Sequence, residues 1–387
     1  MSLTPADPAA ANHCCDARVR RRYEGRLEIP PLQPLFRKTA TPTRSRRRHC
    51  FELRREGHQA FGSICGQDKV TYINLRDKLR CCASGFRRQG IGKGDRVYVH
   101  FGNSIENFVA LCSIPLTGAS LVTSDIMWRE VVFVPGNSFA SLIALKAFLV
   151  GEKRPGFNSV SEIIENEELL PHESEFETGG CTFVKWTTGT TGAPKGAEYS
   201  EERLLRHIVG LASGELFSSN DIWLGDCAIC YLTMVYLWLA ALHRGCTIVV
   251  SKTCHAVPLD VFDVIKDCEA VTIITISSRI RRILDFMKTT KDWDKVLRRT
   301  LRRIVLVAST PPPGLAEELI NTFQLAELRN IYGMTEAGGC MTLPPKGELS
   351  CENVGFPIAG ARMKECGYSV GSVLASRRTA FTVASRH

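Results

Sequence analysis

The sequence lacks several features that would place it in a class at once. Its longest apolar stretch, from Cys227 to Leu242, is broken by Thr233 and is too short to span a bilayer. The N-terminus has no apolar segment of the kind that a secretory signal contains. The 16 cysteines show no repeating spacing, and Cys227-x-x-Cys230 has no second ligand pair for zinc. We therefore expect an intracellular protein with reduced thiols, in the cytoplasm or in an organelle such as the peroxisome or mitochondrion.

The common glycine-rich phosphate motifs are also absent. A Walker A loop needs Ser or Thr after its lysine, and the Rossmann spacing G-x-G-x-x-G does not occur. The chain has instead Thr187-Thr188-Gly189-Thr190-Thr191-Gly192-Ala193-Pro194-Lys195-Gly196. Its glycines let backbone N–H groups turn toward an anion, its threonines add donors, and Lys195 adds a positive charge. This composition predicts a polyphosphate loop between a strand at 182–186 and a helix after Ser200, although an ordinary Gly/Thr turn stays open.

Charge is distributed unevenly along the 387 residues. The formal net charge is +9, and two arginine clusters lie in the first 50 residues, at 18–22 and at 44–48. We interpret residues 1–50 as a flexible basic leader, with a nucleic-acid arm or an organelle-targeting segment as alternatives. No acidic residue follows Glu365, and we interpret residues 365–387 as an atypical tail. Over the whole sequence, the 44% hydrophobic and 23% charged content is typical of a soluble globular protein.

From Thr71 onward, helix and strand patterns alternate. Apolar spacing predicts helices at 71–90, 104–117, 259–268 and 280–287, and one containing Leu315, Leu319 and Phe323. Apolar, mainly β-branched segments predict strands at 96–100, 121–122, 247–250, 271–276 and 304–307. The pattern weakens over 125–180, where we expect loops and a short αβ unit. The alternation predicts an α/β fold of layered, parallel-sheet subdomains.

A second group of chemically useful residues lies at Asn330-Ile331-Tyr332-Gly333-Met334-Thr335-Glu336-Ala337-Gly338-Gly339. Its aromatic ring suits stacking on a base, its hydroxyl suits donation to a phosphate, and its carboxylate suits Mg²⁺. On its own this segment fits a glycine-rich surface loop equally well. Its occurrence together with the Lys195 loop favours a nucleotide site.

These two motifs resemble the signatures of the adenylate-forming superfamily, which includes acyl-CoA synthetases, coumarate-CoA-ligase-like enzymes, luciferases and adenylation domains. Residues 188–196 match the family's phosphate loop, and Tyr332-Gly333-Met334-Thr335-Glu336 matches its second signature. Weaker similarity occurs at 92–97, at Asn103-Ser104 and at 353–357. The resemblance implies an AMP-binding large domain over residues 51–364, shortened around 125–180, with the family's small C-terminal domain absent.

The resemblance also implies a reaction. A fatty or aryl carboxylic acid would attack ATP, release pyrophosphate and form an acyl-adenylate, from which coenzyme A would displace AMP. Lys195 and the loop would hold the outer phosphates, Thr335 the α-phosphate, and Glu336 Mg²⁺. Tyr332 would pack on adenine, with residues 308–310 on its other side, and Gly333 with residues 337–339 would leave room for the acyl group. The nucleotide-binding residues implied in this way are Thr187, Thr188, Gly189, Thr190, Thr191, Gly192, Lys195, Ser309, Asn330, Tyr332, Gly333, Met334 and Thr335.

The chain departs from the family pattern at several points. Ala228-Ile229-Cys230-Tyr231 stands where acid–CoA ligases often have Pro-Leu-Phe-His, Glu201 replaces a histidine, and no Thr-Gly-Asp motif follows Lys364. These departures predict impaired activity and leave three hypotheses: an AMP-forming acid–CoA ligase, a non-catalytic nucleotide-binding remnant of one, and a basic nucleic-acid-binding protein. The third lacks interleaved aromatics and a binding module, so we expect no nucleic-acid partner. The acid and the oligomeric state stay open.

Overall fold

The computed structural model describes residues 59–63, 69–99, 103–123, 148–149, 158–166, 181–187, 195–219, 221–229, 231–250, 258–289, 294–366 and 380–382. The basic leader, most of the 125–180 region, residues 188–194 of the Gly/Thr loop and most of the tail lie outside these ranges. Within the described residues, no helix is both long and apolar enough to cross a membrane.

The described helices, in chain order, are α1 (Tyr72–Arg88), α2 (Ile105–Leu116), α3 (Val160–Asn166), α4 (Glu201–Ser213), α5 (Leu232–His243), α6 (Pro258–Cys268), α7 (Ser277–Thr289), α8 (Asp294–Thr300) and α9 (Leu315–Phe323). The strands are β1 (Gln59–Ser63), β2 (Lys69–Thr71), β3 (Arg96–Val99), β4 (Ser120–Thr123), β5 (Phe148–Leu149), β6 (Asn158–Ser159), β7 (Cys181–Thr187), β8 (Lys195–Ser200), β9 (Ile222–Gly225), β10 (Thr247–Val250), β11 (Thr272–Thr275), β12 (Arg303–Leu306), β13 (Glu327–Asn330), β14 (Gly333–Met334), β15 (Gly339–Cys340), β16 (Thr342–Leu343), β17 (Phe356–Pro357), β18 (Lys364–Cys366) and β19 (Ala380–Thr382).

A seven-stranded sheet forms the centre of the fold, in the order β13-β12-β11-β9-β10-β1-β2. All neighbouring strands from β13 to β1 are parallel, and only β2 is antiparallel to its neighbour. Trp223 and Ile274 contribute to a core with α1, α2, α4 and α5, whereas Leu224 and Ile273 pack with α6, α7 and α9. Because both faces are covered, the central strands consist mainly of buried apolar residues and do not alternate between apolar and polar ones.

A four-stranded sheet, β3-β4-β7-β8, carries the Gly/Thr loop. Strands β7 and β8 are antiparallel, and their pairing runs from Cys181 opposite Ser200 to Thr187 opposite Lys195. The sequence predicts a helix directly after Ser200, and α4 confirms it: the Ser200 hydroxyl accepts a hydrogen bond from the Arg203 amide. Strand β8 is not predicted from the sequence, so the loop joins two strands before the chain enters the helix.

The predicted α/β alternation with parallel sheets is confirmed. Helix α1 begins at the Thr71 cap, whose side chain accepts from the Asn74 amide, and the chain leaves it through Gly90 with φ of +78°. Predicted and observed bounds differ by only one or two residues for the strands β3, β4, β11 and β12. Strand ends are set by pairing partners as well as by local sequence, which accounts for these small differences.

Candidate functional site

The candidate site lies along the carboxyl edge of the seven-stranded sheet. The chain leaves β9 for β10 on one side and leaves β11 for β12 on the other, so β9 and β11 flank a topological switch point. Open α/β sheets bind ligands outside the carboxyl ends of such strands. Asp226, Ser277, Ser309 and Tyr332 follow the carboxyl ends of β9, β11, β12 and β13 at this edge.

The second signature forms a short hairpin after β13. Strand β14 pairs with β15, and a 3₁₀ turn at Thr335–Ala337 joins them. Gly338 has φ of +95°, and its amide donates to the Thr335 carbonyl oxygen over 2.9 Å. A Cβ at Gly333 would collide with the Gly339 carbonyl oxygen, so the close approach of the two strands requires glycine.

This hairpin leaves the predicted ligand-binding side chains open and buries its support. Glu336 is exposed, Tyr332, Met334 and Thr335 are half-buried, and residues 337–340 are buried. The Tyr332 carbonyl oxygen accepts from the Met341 amide at 2.8 Å, which fixes the backbone behind the ring. The arrangement therefore combines a fixed main chain with accessible functional groups.

The side chains of two other predicted nucleotide-binding residues form hydrogen bonds within the protein. Asn330 is 6% exposed, and its side-chain amide donates to the Cys351 carbonyl oxygen over 3.2 Å. Ser309 is exposed, and its hydroxyl lies 3.1 Å from the Ser277 hydroxyl and accepts from the Ser277 amide at 3.3 Å. Ser309 thus joins the end of β12 to the start of α7 at the switch point, while Asn330 anchors the base of the hairpin.

The structure describes the first signature only at Thr187 and at residues 195–196. Thr187 closes β7 opposite Lys195, which is exposed and begins β8. The sequence-predicted residues Thr188, Gly189, Thr190, Thr191 and Gly192 lie outside the described residues. The strand pairing brings the two ends of the loop together and places the Lys195 charge at its base.

Tyr199 links the two signatures and was not identified from the sequence. It lies four residues after Lys195 on β8, is 1% exposed, and donates its hydroxyl hydrogen to the Thr335 carbonyl oxygen. Burial, and secondarily the negative charge of Glu336, raise the pKa of the Tyr199 hydroxyl, so it remains a donor at neutral pH. The available sequence signal was an aromatic residue close to the loop, whose meaning depends on recognising β8.

Two further rings lie beneath the glycine end of the hairpin. The centroids of His207 and Tyr236 are 4.6 Å apart, and a Cβ at Gly339 would lie 3.1 Å from Tyr236. A Cβ at Gly338 would lie 3.5 Å from His207 Nδ1. Burial lowers the pKa of His207 to about 4, with a hydrogen bond to the Cys340 backbone opposing and the Arg203 charge assisting. The imidazole is therefore neutral at neutral pH, and these rings occupy the space below Gly338 and Gly339.

Asn103 supports the segment that departs from the Pro-Leu-Phe-His pattern. Its side-chain amide donates to the Cys227 carbonyl oxygen over 3.0 Å, and its side-chain oxygen accepts from the Ile229 amide at 2.9 Å. Tyr231, the last residue of that segment, is half-buried, and the Lys185 ammonium lies 5.6 Å from its ring centroid. The Asn103 side chain thus holds the backbone at Cys227 and Ile229, close before Tyr231 in the chain.

A buried ion pair lies at the switch point itself. Asp226 is 1% exposed, lies 3.2 Å from an Arg279 nitrogen, and accepts from the Thr275 hydroxyl over 2.9 Å. Desolvation raises the pKa of Asp226 to about 6, although Arg279, Thr275 and Arg282 oppose the rise. The pair joins β9 to the first turn of α7.

The described residues contain no group of three or more His, Cys, Asp and Glu side chains placed to hold a metal ion. Glu336 is a single exposed carboxylate on the 3₁₀ turn. This donor set fits Mg²⁺, which commonly takes one or two protein carboxylates and fills its remaining positions with phosphate oxygens and water.

Comparisons with known proteins agree with this architecture. The family model for AMP-binding enzymes matches residues 52–366. Tyrocidine synthase 3 of Brevibacillus parabrevis is 23% identical over 302 residues, covering 72% of this chain and 4% of that protein. The long-chain-fatty-acid–CoA ligase of Thermus thermophilus is 27% identical over 296 residues, covering 69% of this chain and 52% of that protein. The chain thus spans at most about half the length of these relatives.

A solved structure shows the same fold. The inhibitor-bound N-terminal domain of FACL13 from Mycobacterium tuberculosis has a TM-score of 0.63 at 19% identity, with 79% of each chain covered. The family match extends over most of the sequence and includes both signature segments. The chain therefore belongs to the AMP-binding enzyme family, the adenylate-forming superfamily, and has the fold of its N-terminal domain.

Proposed function

We propose that the chain activates a fatty or aryl carboxylic acid with ATP, forming an acyl-adenylate that is then converted to an acyl-CoA. The observation that supports this most is the link between the signatures. Lys195 and Tyr199 lie on one strand, and the Tyr199 hydroxyl binds the carbonyl oxygen of Thr335, next to Glu336. The strand that begins with the cation proposed for the outer phosphates is thus bonded to the turn that carries the proposed hydroxyl–carboxylate pair.

The first step needs positioning rather than a protein nucleophile. A substrate carboxylate oxygen attacks the α-phosphorus, and the bond to the bridging oxygen breaks, releasing pyrophosphate. In the proposal, Lys195 holds the outer phosphates, Thr335 donates to the α-phosphate, and Tyr332 packs against adenine opposite the 308–310 segment. Glu336 would hold Mg²⁺, which supplies neutralisation of phosphate charge when bound. In the second step the thiolate of coenzyme A attacks the acyl carbon and AMP leaves.

A binding measurement tests the nucleotide site. Lys195→Ala should weaken ATP affinity about 10- to 100-fold, because a hydrogen bond to a charged group contributes about 1.5–3 kcal/mol. Lys346→Ala is the matched control, since this exposed lysine follows β16, near the amino end of β13 and away from the site. Equal ATP affinity of the Lys195→Ala variant and the parent protein in calorimetry would refute the loop assignment.

A second measurement tests the chemistry. Pyrophosphate release should require ATP, Mg²⁺ and one member of a panel of fatty and aryl acids, and coenzyme A should then yield the thioester. ATP binding without pyrophosphate release across the panel would instead favour a non-catalytic nucleotide-binding remnant. The replacement of Pro-Leu-Phe-His by residues 228–231 is the feature that favours this second candidate.

A further inference from the structure

Three side chains lie below the turn that carries Thr335 and Glu336: the buried Tyr199 and Tyr236, and the half-buried His207. Tyr199 is 1% exposed, and His207 and Tyr236 lie against Gly338 and Gly339. The His207 Nε2 and Tyr236 hydroxyl have no hydrogen-bond partner among the described residues. Tyr199 instead reaches the turn from the four-stranded sheet, through its hydroxyl to the Thr335 carbonyl oxygen.

We infer that Tyr199 is a positioning residue that fixes Thr335 and Glu336 relative to Lys195. This inference rests on the proposed function, because it assigns those three residues to one ATP and its Mg²⁺. Tyr199 would not touch the reacting atoms. Its hydroxyl would set where the turn stands with respect to the strand that begins at Lys195.

The strand is suited to this role because it is paired along its length. Strand β8 runs antiparallel to β7, with Tyr199 opposite Phe183 and Lys195 opposite Thr187. The rings of Phe183 and Tyr199 are 6.0 Å apart, which adds a side-chain contact to the backbone pairing. The position of Lys195 is thereby coupled to that of the Tyr199 hydroxyl through a hydrogen-bonded strand.

The turn in contrast has few bonds of its own. The Thr335 carbonyl oxygen accepts from the Gly338 amide inside the turn and from Tyr199 outside it. The flanking glycines provide no side-chain contacts. Loss of the Tyr199 hydroxyl would leave this carbonyl to the Gly338 amide and would loosen the turn without removing any packed ring.

The test compares two tyrosine-to-phenylalanine variants of the full chain. Tyr199→Phe removes the proposed link. Tyr72→Phe removes a hydroxyl that likewise bonds backbone oxygens, those of Leu242 and Cys246 at 3.2 and 2.7 Å, but at a site on α1 away from the turn. Both variants keep the ring, so a general loss of packing affects them alike.

Hydrogen exchange without nucleotide is the first readout. Peptides containing Gly338 should exchange about tenfold faster in Tyr199→Phe, a factor consistent with the loss of one hydrogen bond. Tyr72→Phe should leave these peptides unchanged. Equal exchange of the turn in the parent protein and Tyr199→Phe, or equal acceleration in both variants, would overturn the inference.

Mg²⁺ dependence is the second readout. In Tyr199→Phe, the Mg²⁺ concentration for half-maximal ATP binding should rise several-fold, while ATP affinity without Mg²⁺ should fall by a smaller factor, because Lys195 still contributes to it. An unchanged Mg²⁺ requirement would show that Tyr199 does not position Glu336. If the parent protein binds no ATP while exchange still accelerates in Tyr199→Phe, the proposed function fails and the Tyr199 link to the turn stands.

Discussion

Replacing His207 with phenylalanine should change how the stability of the protein depends on pH. Burial lowers the pKa of His207 from 6.5 to about 4 in the folded protein. The unfolded chain therefore binds a proton between about pH 6.5 and 4 that the folded chain does not, and acid favours unfolding. At 1.36 kcal/mol per pKa unit, this difference corresponds to about 3 kcal/mol of folding free energy.

The sign of the effect is fixed by the direction of the shift. His207 contributes its full stabilisation above about pH 6.5 and loses it progressively down to about pH 4. Phenylalanine keeps a ring against Tyr236 but does not titrate. The unfolding free energy of the parent minus that of the variant should therefore fall by about 3 kcal/mol as pH is lowered from 6.5 to 4.

Urea unfolding at a series of pH values measures this difference. Because other titrating groups occur in both proteins, their contributions cancel; the groups near His207 are Arg203, Tyr199, Tyr236 and Cys340. A difference that stays constant across this pH range would refute a lowered pKa of His207 in the folded protein. The imidazole resonance that disappears in His207→Phe should also show no titration between pH 7 and 5 in the parent protein.

Three further changes test other parts of the fold. Asn103→Ala leaves the Cys227 carbonyl and the Ile229 amide without this partner and should lower the unfolding free energy in urea by about 2–4 kcal/mol; full stability would contradict the supporting role. Gly355→Ala should lower the free energy of unfolding by about 2 kcal/mol more than Gly347→Ala. Both glycines have φ near +80°, but a Cβ at Gly355 would collide with the 343–344 backbone, whereas a Cβ at Gly347 would have no neighbour within 4 Å. Equal thermal shifts for the two would show that no clash occurs. In Asp226→Asn, the free energy of unfolding should rise by about 3 kcal/mol relative to the parent as pH increases from about 4 to 6. The reason is that a carboxyl whose pKa is raised in the folded protein lowers stability as pH rises through that range. Parallel curves of unfolding free energy against pH for the two proteins would exclude the raised pKa.

Local sequence determines the main helices and strands of this protein well. Helix α1 has a threonine cap, a regular apolar face and a closing glycine, and all three signals act within a few residues. Strand β11 is fully buried and β-branched, so its composition alone indicates its place in the sheet. The candidate residues of both signatures could be selected from the sequence for a similar reason, since each motif is contiguous.

Contacts between distant residues explain what the sequence could not provide. Strand β8, Lys-Gly-Ala-Glu-Tyr-Ser, has little β-propensity and mostly exposed side chains, and its pairing with β7 makes it a strand. The Tyr199–Thr335 bond joins residues 136 positions apart. Asn330 illustrates the same limit, because the motif gives its position but not that its side chain binds Cys351.

Burial divides the residues of the two signatures into those needed for folding and those that only chemistry would require. Lys195 and Glu336 are exposed and support little packing. Gly333 is required by the backbone opposite it, and Gly339 by its φ of +98° and the adjacent Tyr236 ring. In a scan that measures cellular abundance, substitutions at the charged pair should be tolerated, and those at the glycines should be depleted. Genetic drift without selection for chemistry would therefore remove the charges first and leave a well-folded protein. The requirements of folding thus do not explain why this chain has both charges.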